Sequence, residues 1–130
     1  MEIVLPYVDT VIHDIKLMDK EKHRFWTGAS NERSLSNLKR AYQTWPEKTF
    51  LARTPVIPGV NDDEDSIQEI MDFILPYPNV KGYELMPYHR LGIGKYISLG
   101  KDYSLEEFPS PAEETILRLR NLITETFAKR

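Results

Sequence analysis

The 130-residue chain carries seventeen Lys and Arg against twenty Asp and Glu, a net charge of -3 that is spread along its length. No basic stripe for a phosphate backbone exists, so nucleic acid is not an expected partner. There is no cysteine; disulfides, thiolate zinc sites, cysteine nucleophiles and any cysteine-held iron-sulfur cluster supplied by this chain are excluded. One domain with a single core fits the length, and no run approaches the roughly 20 apolar residues of a membrane helix. The first residues, MEIVLPYVDT, have no secretory cleavage pattern, so a cytoplasmic location is expected.

Val8 to Lys16 is rich in β-branched residues and predicts a strand whose first half suits burial on both faces. Asp14 and Lys16, two apart, point to one side of it, with His13 and Ile15 on the other. That pair either faces a barrel lumen or marks the strand's exit into solvent. Asp19 is a candidate cap for a helix through Trp26, stopped at Thr27-Gly28. Ser30 or Asn31 then caps a helix to about Thr44, with Leu35, Leu38, Ala41 and Tyr42 on its apolar stripe. Trp26, Tyr42 and Trp45 read as packing residues, and His23 as a surface imidazole.

Thr49 to Ile57 predicts a second strand, closed by Pro58-Gly59. Arg53 lies within it and requires an anion, water or a helix carboxylate as partner, because an unpaired buried guanidinium is too costly. Asn61-Asp62-Asp63-Glu64-Asp65 lacks the ligand spacing and the glycine of a calcium loop. It reads instead as a helix start capped by Asn61 or Asp62, with Ile67, Ile70, Met71, Ile74 and Leu75 as the buried stripe. Val80 to Met86 predicts a third strand stopped by Pro87. Tyr88, His89, Arg90 and Lys95 follow in a loop with Gly92 and Gly94, at the strand edge where parallel α/β folds bind ligands. Ser98 to Pro111 reads as an extended loop, and a last helix begins near Pro111 with Ile116, Leu119, Leu122, Ile123 and Phe127 inward. Strands alternating with helices predict parallel pairing in an α/β fold, a sheet of about three strands covered by helices.

The three strand ends read Asp-Ile-Lys, Arg-Thr-Pro and Pro-Tyr-His. Taken with His23-Arg24-Phe25-Trp26-Thr27-Gly28, Pro58-Gly59-Val60-Asn61-Asp62 and Glu84 through Gly92, the chain closely resembles the carboxyl-terminal half of the glycyl-radical-enzyme activating enzymes, the pyruvate formate-lyase activating enzyme family. The resemblance covers about Asp9 to Phe127. It implies the second half of a radical S-adenosylmethionine (β/α)6 barrel, here a partial (β/α) barrel fragment forming one domain over residues 1–130. In that family a [4Fe-4S] cluster on a CxxxCxxC loop cleaves S-adenosylmethionine, and a backbone glycine of a partner glycyl radical enzyme, formate lyase-like, loses a hydrogen atom. Carried over by the resemblance, Lys16 contacts the carboxylate of S-adenosylmethionine and Asp14 helps to hold a monovalent cation beside it. His89 lies against the adenosine, Arg53 near the ligand and the glycyl loop, and Pro55 packs beside the adenine. Tyr88, Leu91 and Gly92 shape the same wall.

The cluster loop and the Gly-Gly-Glu stretch of the family are absent from this sequence. The chain is therefore expected to be a fragment, inactive alone, whose cluster belongs to the intact protein. Its expected partners are a glycyl radical enzyme and the missing amino-terminal half of the barrel, without nucleic acid or membrane, and its open sheet edge favours a dimer. The alternatives are a non-catalytic docking module, and an unrelated barrel piece with structural polar strand ends.

Overall fold

Alternation decides which side of the central strand meets the core. In β2 (Thr49–Val56), Phe50, Ala52, Thr54 and Val56 are fully buried, whereas Leu51, Arg53 and Pro55 are only half-buried. The computed structural model describes residues 3–103, 105 and 107–130 of the chain. Around β2 it places β1 (Thr10–Asp14) and β3 (Val80–Pro87), both parallel to it, in the order β1-β2-β3. The helices are α1 (Lys20–Thr27), α2 (Glu32–Thr44), α3 (Glu64–Ile74), α4 (Ile93–Ser98) and α5 (Glu113–Ala128). This open parallel α/β sheet agrees with the expected piece of a barrel. No described helix is long and apolar enough to cross a membrane.

One face of the sheet carries the core. Leu38, Ala41 and Tyr42 of α2, Ile67, Ile70, Met71 and Ile74 of α3, and Ile116, Leu119 and Ile123 of α5 join Phe50, Ala52, Val56, Val80, Tyr83 and Leu85. Burying each of the larger side chains contributes roughly 1.5–3 kcal/mol. The other face is bare. Ile12 on β1 is 51% exposed, so the expected burial of the first strand on both faces is not what the fold delivers. Three strands cannot curl into a closed barrel that would shelter that face.

Two prolines sit in the sheet without cost to the ladder. Ile15 N–H donates to Arg53 O (2.8 Å), so Arg53 and Pro55 turn their backbones toward β1, and β1 has ended before Pro55. Tyr88 N–H donates to Val56 O (3.0 Å), which turns Pro87 toward the free edge of β3. Between Phe50↔Val80 and Leu51↔Gly82 the register of β3 shifts, with Lys81 as the extra residue of a bulge. The bulge reverses the inward phase set by Val80, sending Tyr83 and Leu85 to the core and Glu84 to the bare face.

Several ends differ from expectation. Asp19 caps α1 as anticipated, accepting from Lys22 N–H at 2.7 Å, and Gly28 closes it at φ 78°. The cap of α3 is Asp63, which accepts from Ser66 N–H (2.8 Å); Asn61 and Asp62 are committed to the preceding turn. At α2, Ser30 Oγ accepts from Glu32 N–H (3.3 Å), while the Asn31 amide turns away to the Leu17 and Met18 carbonyls. Gly92 and Gly94 lie in a 3-10 turn (Arg90–Gly92) and in α4 rather than in an open loop. Of the expected loop Ser98 to Pro111, Ser104 and Glu106 lie outside the described residues.

Candidate functional site

Four charges stand on the bare face near the carboxyl ends of the strands. Asp14 is in register with Arg53, and Arg53 with Glu84, so a carboxylate flanks the guanidinium on either side across the three strands. The pairing is resolved in one way. Lys16 Nζ lies 3.2 Å from Asp14 Oδ2, and Arg53 Nε donates to Glu84 Oε2 at 2.8 Å. All four side chains remain open to water, from 36% exposed at Arg53 to 61% at Glu84. Such exposed pairs contribute only about 0–1 kcal/mol each to stability. Their interest is that two cations are held at fixed places on an accessible surface. Ile12, Leu51, Pro55 and Met86 lie on the same face by strand alternation, giving the charges an apolar surround.

The strand ends are tied together from beneath. Asn61, 1% exposed, accepts from Ile57 N–H (2.9 Å) and donates to Lys16 O (2.9 Å) and Pro55 O (3.0 Å). One amide thus fixes the backbone under two of the expected ligand contacts. Tyr83 OH donates to Thr54 Oγ1 (2.8 Å), which donates in turn to Ile15 O (2.5 Å), linking all three strands within the core.

His13 points into the core side, with its Nε2 2.8 Å from Tyr42 OH and its ring against Phe50. Its Nδ1 is buried without a partner among the described residues. Burial pushes the imidazole down from 6.5 to about 4, against the opposing pull of the Asp14 carboxylate, so it is neutral at physiological pH.

Of the residues singled out in the sequence, Asp14, Lys16, Arg53 and Pro55 come together on one face. His89 lies at the same edge of the sheet, exposed, two residues beyond the end of β3 and at the start of the 3-10 turn. Tyr88 is 8% exposed and its hydroxyl donates to Leu105 O at 2.8 Å. Leu91 is 83% exposed and packs against little of this chain. The helix carboxylate considered for Arg53 is replaced by a strand carboxylate, Glu84. Sequence reasoning passed over Glu84 because simple alternation from Val80 turns it inward; Asn61 was passed over because it reads as a cap. The signal available for Asn61 is its place directly after Pro58-Gly59-Val60, where a turn leaves backbone groups to satisfy.

Among the described residues no three His, Asp or Glu side chains converge as a metal site. The cation beside Asp14 in this structure is the Lys16 ammonium.

No protein-family model matches the sequence. It is 46% identical over 102 residues to the isethionate sulfite-lyase activating enzyme of Desulfovibrio desulfuricans, covering 78% of this chain and 32% of that protein. With the choline trimethylamine-lyase activating enzyme of Oleidesulfovibrio alaskensis it shares 37% identity over 90% of this chain and 38% of the relative. With the pyruvate formate-lyase 1-activating enzyme of Escherichia coli K12 it shares 34% identity over 94% of this chain and 49% of the relative. The chain thus spans about a third to a half of the length of these curated relatives. In fold it matches a domain of pyruvate-formate lyase-activating enzyme from Bacteroides vulgatus, with a TM-score of 0.74, 24% identity, and coverage of 95% of this chain and 66% of that one.

Proposed function

The chain belongs by descent with the glycyl-radical-enzyme activating enzymes, and from that premise we propose that it is the carboxyl-terminal half-barrel of such an enzyme, contributing one wall of an S-adenosylmethionine site. The observation that carries this reading is the gathering of Asp14, Lys16, Arg53 and Pro55 on one uncovered sheet face, with His89 following the carboxyl end of β3. S-adenosylmethionine, when bound, supplies the radical chemistry of the family.

What this chain contributes is binding and orientation. Lys16 is a compact cation suited to the ligand carboxylate, and Asp14 holds its ammonium in place at 3.2 Å. The carboxylate oxygen of Asp14 that is not on Lys16 is a hard donor that would suit a monovalent cation beside the ligand carboxylate. Pro55 offers an apolar surface for the adenine, and His89, exposed beyond β3, is free to stack on it or donate to it. A [4Fe-4S] cluster does not fit the residues present, since the sequence has no cysteine and the described residues form no metal-binding group. The chain alone is therefore proposed not to cleave S-adenosylmethionine, and the cluster to be held by another part of the intact enzyme. The partner proposed for that enzyme is a glycyl radical enzyme.

Calorimetric titration of S-adenosylmethionine into the wild-type chain, Lys16→Ala and His89→Ala tests the reading. The wild type is expected to bind, and each variant to bind about tenfold more weakly, the loss of one charge-assisted or stacking contact. Binding that is indifferent to both substitutions counts against the site; a wild type that does not bind counts against a half-site formed without the rest of the barrel.

A further inference from the structure

Arg53 could be served by either neighbouring strand, since Asp14 and Glu84 occupy its two register positions. Asp14 is engaged by Lys16, and the guanidinium bonds to Glu84 through Nε alone. A guanidinium has five donors, and the Nη1 and Nη2 groups of Arg53 donate to no described residue. Those two nitrogens form the fork that matches a carboxylate in a bidentate pair. The partner on Nε limits rotation about the end of the side chain, which selects where the fork points. Glu84 reaches this place only because the bulge at Lys81 turns it out of the core, and bulges recur next to sites where they re-aim a side chain. At 36% and 61% exposure the pair adds little to stability, so the fold does not require it.

Resting on the S-adenosylmethionine reading of this face, we infer that Glu84 is the positioning residue of Arg53, holding the guanidinium by Nε so that its Nη edge is presented to the carboxylate of the bound ligand. Two cations, Lys16 and Arg53, then share that carboxylate, each kept in place by its own acid. Removal of Glu84 releases Arg53 toward Asp14, which also takes the acid from Lys16.

The test is titration of two ligands, S-adenosylmethionine and 5'-methylthioadenosine, which lacks the amino-carboxylate tail, into wild type, Glu84→Ala and Glu84→Gln. Amide spectra establish that each variant is folded. Glu84→Ala is expected to weaken S-adenosylmethionine about tenfold, the scale of one charge-assisted bond, and to leave 5'-methylthioadenosine unchanged. Glu84→Gln keeps an acceptor oxygen for Nε and should recover most of the difference. Equal loss of both ligands in Glu84→Ala overturns the inference in favour of a general structural effect, and no loss of either overturns it outright. A wild type that ignores S-adenosylmethionine rejects a half-site formed without the rest of the barrel and the inference with it; that outcome is separable because the wild type is measured first.

Discussion

His13 is a histidine whose titration the fold changes strongly. Held neutral against Tyr42 and Phe50, it resists the proton that the unfolded chain accepts near pH 6.5 and takes one only near pH 4. Between those values the unfolded state binds more protons than the folded state, so stability falls as pH drops from 6.5 to about 4. At the lower limit the loss amounts to about 3 kcal/mol. Urea denaturation at pH 7 and pH 4.5 should show this loss in the wild type and a smaller one in His13→Gln, whose amide does not titrate. The same pH dependence in both proteins would remove His13 as its source. The sequence already placed His13 opposite Asp14 and Lys16. What alternation could not supply was Tyr42, 29 residues away, whose hydroxyl takes Nε2.

At the level of elements, periodicity located every long helix and strand, and composition failed mainly where a polar residue had two possible uses. Asn61 and Asp63 both qualify as caps. Asp63 takes that role through Ser66, while Asn61 fastens the ends of β1 and β2. Asn61→Ala strips partners from Ile57 N–H and from two carbonyls, and is expected to cost about 2–4 kcal/mol. Asn61→Asp should be no better at neutral pH, because it sets a carboxylate oxygen against the Lys16 and Pro55 carbonyls. Thermal melts of the two variants decide the matter, and near-wild-type midpoints would mean that water or a neighbour replaces the amide. Gly92 and Gly94 show the opposite difficulty. Glycine signals a loop by its conformational freedom, yet neither residue here takes a positive φ, and both are absorbed into helical turns.

For the whole molecule, a parallel sheet with one bare face and two unpaired edges is an incomplete object, since parallel sheets ordinarily have both faces covered. Along β1 the backbones of Thr10, Ile12 and Asp14 face away from β2, because Thr49 N–H takes Asp9 O and Ile15 N–H takes Arg53 O. That edge should pair with a second copy. Sedimentation velocity is expected to show dimers that Ile12→Pro, lacking the outward N–H, and Ile12→Lys both diminish; a wild type that stays monomeric at high concentration would remove the edge as an interface. The α/β class, the order of elements and the residues at the three strand ends were determined by the sequence itself, because hydrophobic period, caps and proline stops act within a few residues along the chain. Only the tertiary structure decided that Glu84 belongs to Arg53, that Asn61 is a tie and not a cap, and which face of β3 looks outward. The pairing of Glu84 with Arg53 depends on register between strands about thirty residues apart, which a single bulged residue at Lys81 reverses, and the Asn61 tie depends on the approach of two strand ends from distant parts of the chain.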